Sequence, residues 1–238
     1  MSLKETLKQE SRREREKLKQ MTLRDKVWYI WEYYKVHIFI LIALVLLLQL
    51  IVTILYNRTF TSRFSYVVIN NRNAMETSFD AFNEEFKQYM GYGKKDTIEA
   101  DGSVVIQYGE RVSEMEYGNM AKISALVAGQ SLDVMICDQI NIDHYCELDG
   151  FLDLSEVLPA DLWEQVKSLA YYGKNEAGES IPCAIDLGGT SFMEKTGVQL
   201  DPCYFGIITN TARIDTAISW LRFVLDPDSP GPGTQNQD

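Results

Sequence analysis

The chain has 238 residues, of which 46% are hydrophobic and 24% charged, with four cysteines and a net charge of -11. Those averages exclude a collagen-like, a disulfide-dense and a wholly disordered chain. They also exclude nucleic acid as the main partner, since a duplex is gripped by lysine and arginine on its phosphates and this chain is acidic.

Residues 1 to 35 carry ten Lys/Arg against six Asp/Glu and read as a basic, mixed-charge helix. Its lysines and arginines would rest on anionic lipid. Thr22, with Asp25 three residues on, resembles a capping signal that starts a helix. Trp28, Tyr29, Trp31, Tyr33 and Tyr34 form an aromatic belt of the kind that sits at a headgroup layer.

From Val36 to Tyr56 the chain reads VHIFILIALVLLLQLIVTILY, with no Asp, Glu, Lys or Arg. Twenty-one residues at a helical rise reach about 30 Å, the thickness of a bilayer's hydrocarbon core. Sixteen of them are Val, Ile, Leu or Phe, so insertion is favoured by about 5 to 10 kcal/mol, and Gln49 and Thr53 do not reverse that. A buried core helix of this length would carry a polar stripe. A cleaved signal peptide would have a shorter apolar run followed by small residues, whereas Tyr56-Asn57-Arg58-Thr59-Phe60 follows here. The reading is a transmembrane helix over 36–56. Beyond it the chain holds 13 Lys/Arg and 28 Asp/Glu, and the excess of basic residues on the N-terminal flank puts the N-terminus in the cytoplasm and the acidic part outside the cell.

Residues 57 to 225 are enough for one domain with its own core. Phe64 to Asn70 (FSYVVIN) is expected as a strand and Glu76 to Met90 as a helix, with Phe79, Phe82, Phe86, Tyr89 and Met90 at helical spacing. Ser103 to Tyr108 (SVVIQY) reads as a second strand, and Tyr117 to Ala128 as a helix stopped by Gly129. Leu132 to Cys137 is a short buried strand with Asp138 at its carboxyl end, followed by a short helix over Ile140 to Leu148. Pro159 to Ala170 is expected as a helix, and Tyr171 to Ile185 as a hairpin turning at KNEAGES. Tyr204 to Thr209 is the last strand and Thr211 to Leu225 an amphipathic helix. Residues 226 to 238, DPDSPGPGTQNQD, hold three of the six prolines and read as a disordered tail. Strands alternating with helices imply an α/β domain.

Within this order lie the phrases ALVAGQSLDV (Ala125, Leu126, Ala128, Gly129, Asp133, Val134), GFLDL (Gly150, Leu152, Asp153, Leu154), ESIPCAID, and Phe205 to Leu225. Together they resemble the first lobe and closing elements of extracellular solute-binding proteins with the type 2 periplasmic-binding fold. The resemblance runs in order from about Phe64 to Leu225. It implies a non-enzymatic, membrane-anchored extracellular domain with a reduced periplasmic-binding-like α/β fold. Such a domain would capture a small molecule, sugar or peptide, or serve a membrane transporter, and would need no cofactor. The alternative is an interaction or scaffold protein that has lost its ligand site, because only Leu187 to Cys203 stands where the family inserts a second lobe.

Ligands in open α/β sheets sit at the carboxyl ends of strands. That rule nominates Asn70 and Asn71, then Asp138 and Gln139, then Asp186, Gly188, Gly189 and Thr190 as ligand-binding residues. The same residue types are favoured in turns and caps. Asp186-Leu187-Gly188-Gly189-Thr190 also matches the phosphate loop of actin-like sugar kinases, but only 48 residues follow it, too few for the remaining nucleotide contacts. His37 and His144 lack metal-ligand partners at a usual spacing. Cys137, Cys146, Cys183 and Cys203 allow one or two disulfides, and spacing leaves all three complete pairings open.

Overall fold

A computed structural model describes residues 22–109 and 112–233. The basic segment before Thr22 and the last five residues lie outside them. The chain divides into two units, residues 1–59 and 60–238.

The described part of the first unit is a single helix, α1, Leu23–Asn57, of 35 residues. It begins directly after Thr22, where the capping signal places it. Its stretch Tyr34–Asn57 is long and apolar enough to cross a membrane, and no residue of its apolar window is buried. Trp31 packs edge-on against Phe39, and Tyr34 against His37, along the helix surface.

The second unit is an α/β domain. Its strands are β1 (Thr61–Ile69), β2 (Asp96–Val104), β3 (Val134–Cys137), β4 (Ala170–Lys174), β5 (Ser180–Asp186) and β6 (Tyr204–Ile207). They form one mixed sheet in the order β2-β1-β3-β6-β5-β4. β1 is parallel to both β2 and β3, whereas β6 runs antiparallel to β3 and β5, and β4 antiparallel to β5. Between the strands lie α2 (Asp80–Met90), α3 (Glu114–Ala128), α4 (Gln139–Cys146), α5 (Leu154–Val157), α6 (Ala160–Val166), α7 (Ser191–Thr196) and α8 (Ile214–Leu225).

Alternation along β1 shows how both faces are covered. Phe64, Tyr66 and Val68 enter one core with Phe82 and Phe86 of α2, Leu162 of α6, Phe192 of α7 and Trp220 of α8. Val67 and Ile69 enter the other, with Ile123 of α3, Ile142 and Cys146 of α4, and Cys183 of β5. The first core is aromatic: the Trp220 ring is stacked on Phe205 at 5.4 Å and meets Phe64, Tyr66, Phe82 and Phe192 within 6.0 Å. Burying rings of this size supplies much of a domain's apolar stabilisation.

Most expected elements are present, with shifted ends. The helix expected from Glu76 starts at Asp80, because Asn71 and Asn73 fold residues 73–77 into a turn closed by Thr77 Oγ1 on the Asn73 carbonyl (2.9 Å). The helix expected from Tyr117 starts at Glu114, where Ser113 and Glu116 exchange hydrogen bonds in a capping box. The helix expected to Ala170 ends at Val166 and gives way to a 3-10 turn, Lys167–Leu169. The second strand is misplaced in the sequence reading: it is Asp96–Val104, and Val105–Tyr108 leave the sheet. At the end of the domain, residues 226–233 return to α2, where the Gly233 N–H donates to the Tyr89 carbonyl (3.2 Å).

At the amino end of β3 a buried clasp joins four segments. Asp133, with none of its surface exposed, accepts hydrogen bonds from the Ser65 N–H (2.8 Å), the Thr211 hydroxyl and Arg213 Nε (2.8 Å). Arg213 also donates to the carbonyls of Ser62 (3.0 Å) and Gln130 (3.3 Å), so β1, the end of α3 and the start of α8 share one carboxylate.

Candidate functional site

At the opposite end of the sheet, beyond the carboxyl ends of β1, β2 and β3, lies a cleft of about 440 Å³. It is lined by Asn70, Asn71 and Arg72 after β1, Val105 to Tyr108 after β2, Asp138 and Ile140 around the start of α4, and Leu200 and Asp201 before β6. A volume of this order suits a small molecule.

Asn70 shapes the floor. It takes a left-handed backbone (φ 61°), a conformation in which Asn is among the best-tolerated side chains. Its side chain then behaves as an extra residue of the sheet, accepting from the Ile106 N–H (2.9 Å) and donating to the Ile106 carbonyl (2.9 Å) and to Asp138 Oδ2 (2.8 Å). This substitution of a side chain for a strand explains why Val105–Tyr108 stay attached after leaving the ladder.

Asp138 caps α4. Its Oδ1 accepts from the Asn141 N–H (3.1 Å) and from Asn141 Nδ2 (2.7 Å). Asn141 Oδ1 in turn accepts from the Tyr108 hydroxyl (3.0 Å), and the Tyr108 ring lies on His144 at 4.1 Å. Burial pushes the Tyr108 phenol well above its ordinary range, so it is a neutral donor at physiological pH. Asn71 holds the far wall by accepting from the Asn73 N–H (3.1 Å) and Gln199 N–H (3.0 Å) and donating to Thr77 (2.7 Å), which fixes the loop carrying Leu200 and Asp201.

The structure therefore brings together Asn70, Asn71 and Asp138 of the nominated residues. Gln139 faces elsewhere, donating to the Tyr171 hydroxyl (2.9 Å), which itself donates to Asp143 (2.8 Å). Burial, reinforced by that bond to Asp143, pushes the Tyr171 phenol up to about 12. Asp186, Gly188, Gly189 and Thr190 form the turn after β5, with Asp186 Oδ1 accepting from the Gly188 N–H (2.9 Å) and Thr190 Oγ1 donating to the Leu187 carbonyl (2.8 Å). Asp186 pairs with Tyr204 and Tyr204 with Cys137, so this turn is at the same end of the sheet but two strands along, outside the cleft lining.

The cleft also recruits Arg72, Gln107 and Asp201, which sequence reasoning did not nominate. Gln107 was hidden inside an apolar run read as strand interior, and Arg72 and Asp201 sit in loops without a motif. Together the lining offers a guanidinium, two carboxylates, three amides and a phenol, a set able to hold both charges of a small zwitterion or several hydroxyls. Among the described residues no group of three His, Cys, Asp or Glu is placed to hold a metal ion. The four cysteines are all buried free thiols.

No protein family, no curated protein and no solved structure matches this chain.

Proposed function

We propose that this protein is a membrane-anchored, non-enzymatic solute-binding domain of reduced periplasmic-binding-like fold, held outside the cell by α1. It captures a small polar molecule such as a sugar, an amino acid or a short peptide, for itself or for a membrane transporter. The observation that carries the reading is the cleft at the carboxyl ends of β1, β2 and β3, with Arg72, Asp138 and Asp201 among its lining. Two further points support it. The ALVAGQSLDV phrase falls on the end of α3 and the buried start of β3, and the closing phrase falls on β6 and α8. The N-terminal excess of basic residues orients α1 with the domain outside.

The test is a thermal-shift screen of the full chain in detergent micelles against sugars, amino acids and short peptides. A ligand at a hundred times its Kd should raise the melting temperature by about 5 to 10 °C. Arg72→Ala should abolish that rise while leaving the unliganded melt unchanged. A panel without any shift would argue for the second reading, an interaction protein that has lost its ligand site. That reading is favoured by the link from β5 to β6, Leu187 to Cys203, which holds only the six-residue α7. Cross-linking in cells would then recover a membrane partner.

A further inference from the structure

The four buried thiols are unequal, and the sheet sorts them. Cys203 belongs to the aromatic core on one face, whereas Cys137, Cys146 and Cys183 belong to the core on the other. Cys137 is on β3 and Cys183 on β5, with β6 between them, so about 10 Å separates them, beyond the reach of a disulfide. Cys137 precedes α4 and Cys146 ends it, which puts about 12 Å of helix between those two.

Cys146 and Cys183 are different. Both sulfurs crowd the same point beside Gly173 of β4: a side-chain carbon on Gly173 would lie 2.7 Å from Cys146 Sγ and 2.8 Å from Cys183 Sγ. The sulfurs are thus no farther apart than those two distances laid end to end. The backbone is arranged for this approach. The β4–β5 ladder pairs Tyr171 with Ala184 and Tyr172 with Pro182, so Cys183 is the extra residue of a β-bulge, the device by which a strand re-aims a side chain. Gly173 leaves open the space that any side chain would fill.

We infer that Cys146 and Cys183 are the disulfide-forming couple of this domain, closing a loop that ties the end of α4 to β5, while Cys137 and Cys203 remain thiols. The inference does not depend on what the cleft binds. The oxidant is a small disulfide of the oxidised-glutathione class. One cysteine thiolate attacks it, releasing the first small thiolate and leaving a mixed disulfide. The second cysteine thiolate attacks the protein sulfur, releasing the second. The two protons given up by the cysteines end on the two small thiols, so the protein loses two electrons and the disulfide gains them. Burial pushes both thiols up in the folded domain, which suppresses exchange there and places closure during folding.

The test takes the full chain in detergent, unfolds it with urea and a reductant, and refolds it by dilution into a mixture of reduced and oxidised glutathione. Alkylation under denaturing conditions followed by peptide mapping should find two of the four cysteines blocked and a linked peptide pair holding Cys146 and Cys183. Cys137→Ser with Cys203→Ser should keep that link, and Cys146→Ser should yield no internal bridge. Four alkylated cysteines, a glutathione adduct without a bridge, or a linked peptide containing Cys137 or Cys203 would each overturn the assignment.

Discussion

Replacing Arg213 by Met measures what the clasp at Asp133 contributes. The Asp133 carboxylate is fully buried, and the Arg213 side chain is 21% exposed. Removing the guanidinium leaves a buried anion with the Ser65 N–H and the Thr211 hydroxyl but no counter-charge. Breaking one side of a buried pair costs about 3 to 5 kcal/mol, and the two surviving donors place this case near 3. In a domain of this size each kcal/mol moves the melting temperature by about 2 to 4 °C, so Arg213→Met should melt about 6 to 12 °C lower. Scanning fluorimetry of the full chain in detergent reads this from the buried Trp220. Asp133→Asn removes the stranded charge, so the double variant should be more stable than the two single losses combined imply. A melt for Arg213→Met within about 2 °C of the parent, or strictly additive losses, would refute the argument.

Three further outcomes are expected. Gly173→Ala drives a methyl group into the sulfurs of Cys146 and Cys183 and should lower stability by about 1 to 3 kcal/mol in a urea titration; a neutral result would mean the two cysteines repack freely. Asp96 is held below the ordinary carboxylate range by its hydrogen bond from Arg63, and Asp161 by its hydrogen bond from Arg222. Both carboxyls bind protons less tightly in the folded than in the unfolded chain, so their contribution is complete above that range and is lost as pH falls through the folded-state values. Melting temperature against pH should show this acid limb, and Arg63→Met with Arg222→Met should flatten it; an unaltered limb would remove these pairs from the account. Finally, the chain should sediment with membranes and resist alkaline extraction. Leu46→Arg with Leu50→Arg, at about 3 kcal/mol each, should release it into the soluble fraction, and a chain that washes off before any substitution would dispose of the span.

The sequence was legible where hydrophobic pattern and secondary structure coincide. Val134 to Cys137 and Pro182 to Ile185 are short continuous buried runs of strand length, and α8 turns apolar residues to the core at helical period. It misled at β2. DTIEADGSV is an edge strand with a half-exposed surface, so few of its residues need be apolar, whereas only Ser103 and Val104 of the more apolar SVVIQY run are strand and its apolar character marks burial of Val104 and Ile106. Asp133 stood out only as part of a phrase, and nothing local announces that its partner is Arg213, eighty positions on. The cleft was half legible for a related reason. Asn70, Asn71 and Asp138 follow strands, a rule visible in one dimension, but Arg72, Gln107 and Asp201 join them through three separate loops.

The position of β6 bears on how the domain comes into being. Because β6 lies between β3 and β5, the strands made early form two sheet fragments, β2-β1-β3 and the β4–β5 hairpin, that share no ladder until residues near 207 arrive. Contacts between such distant positions raise the contact order and slow the search for the native pairing. Until β6 pairs, both fragments keep an open edge, and its arrival joins them and brings the preceding Leu200 and Asp201 to the cleft.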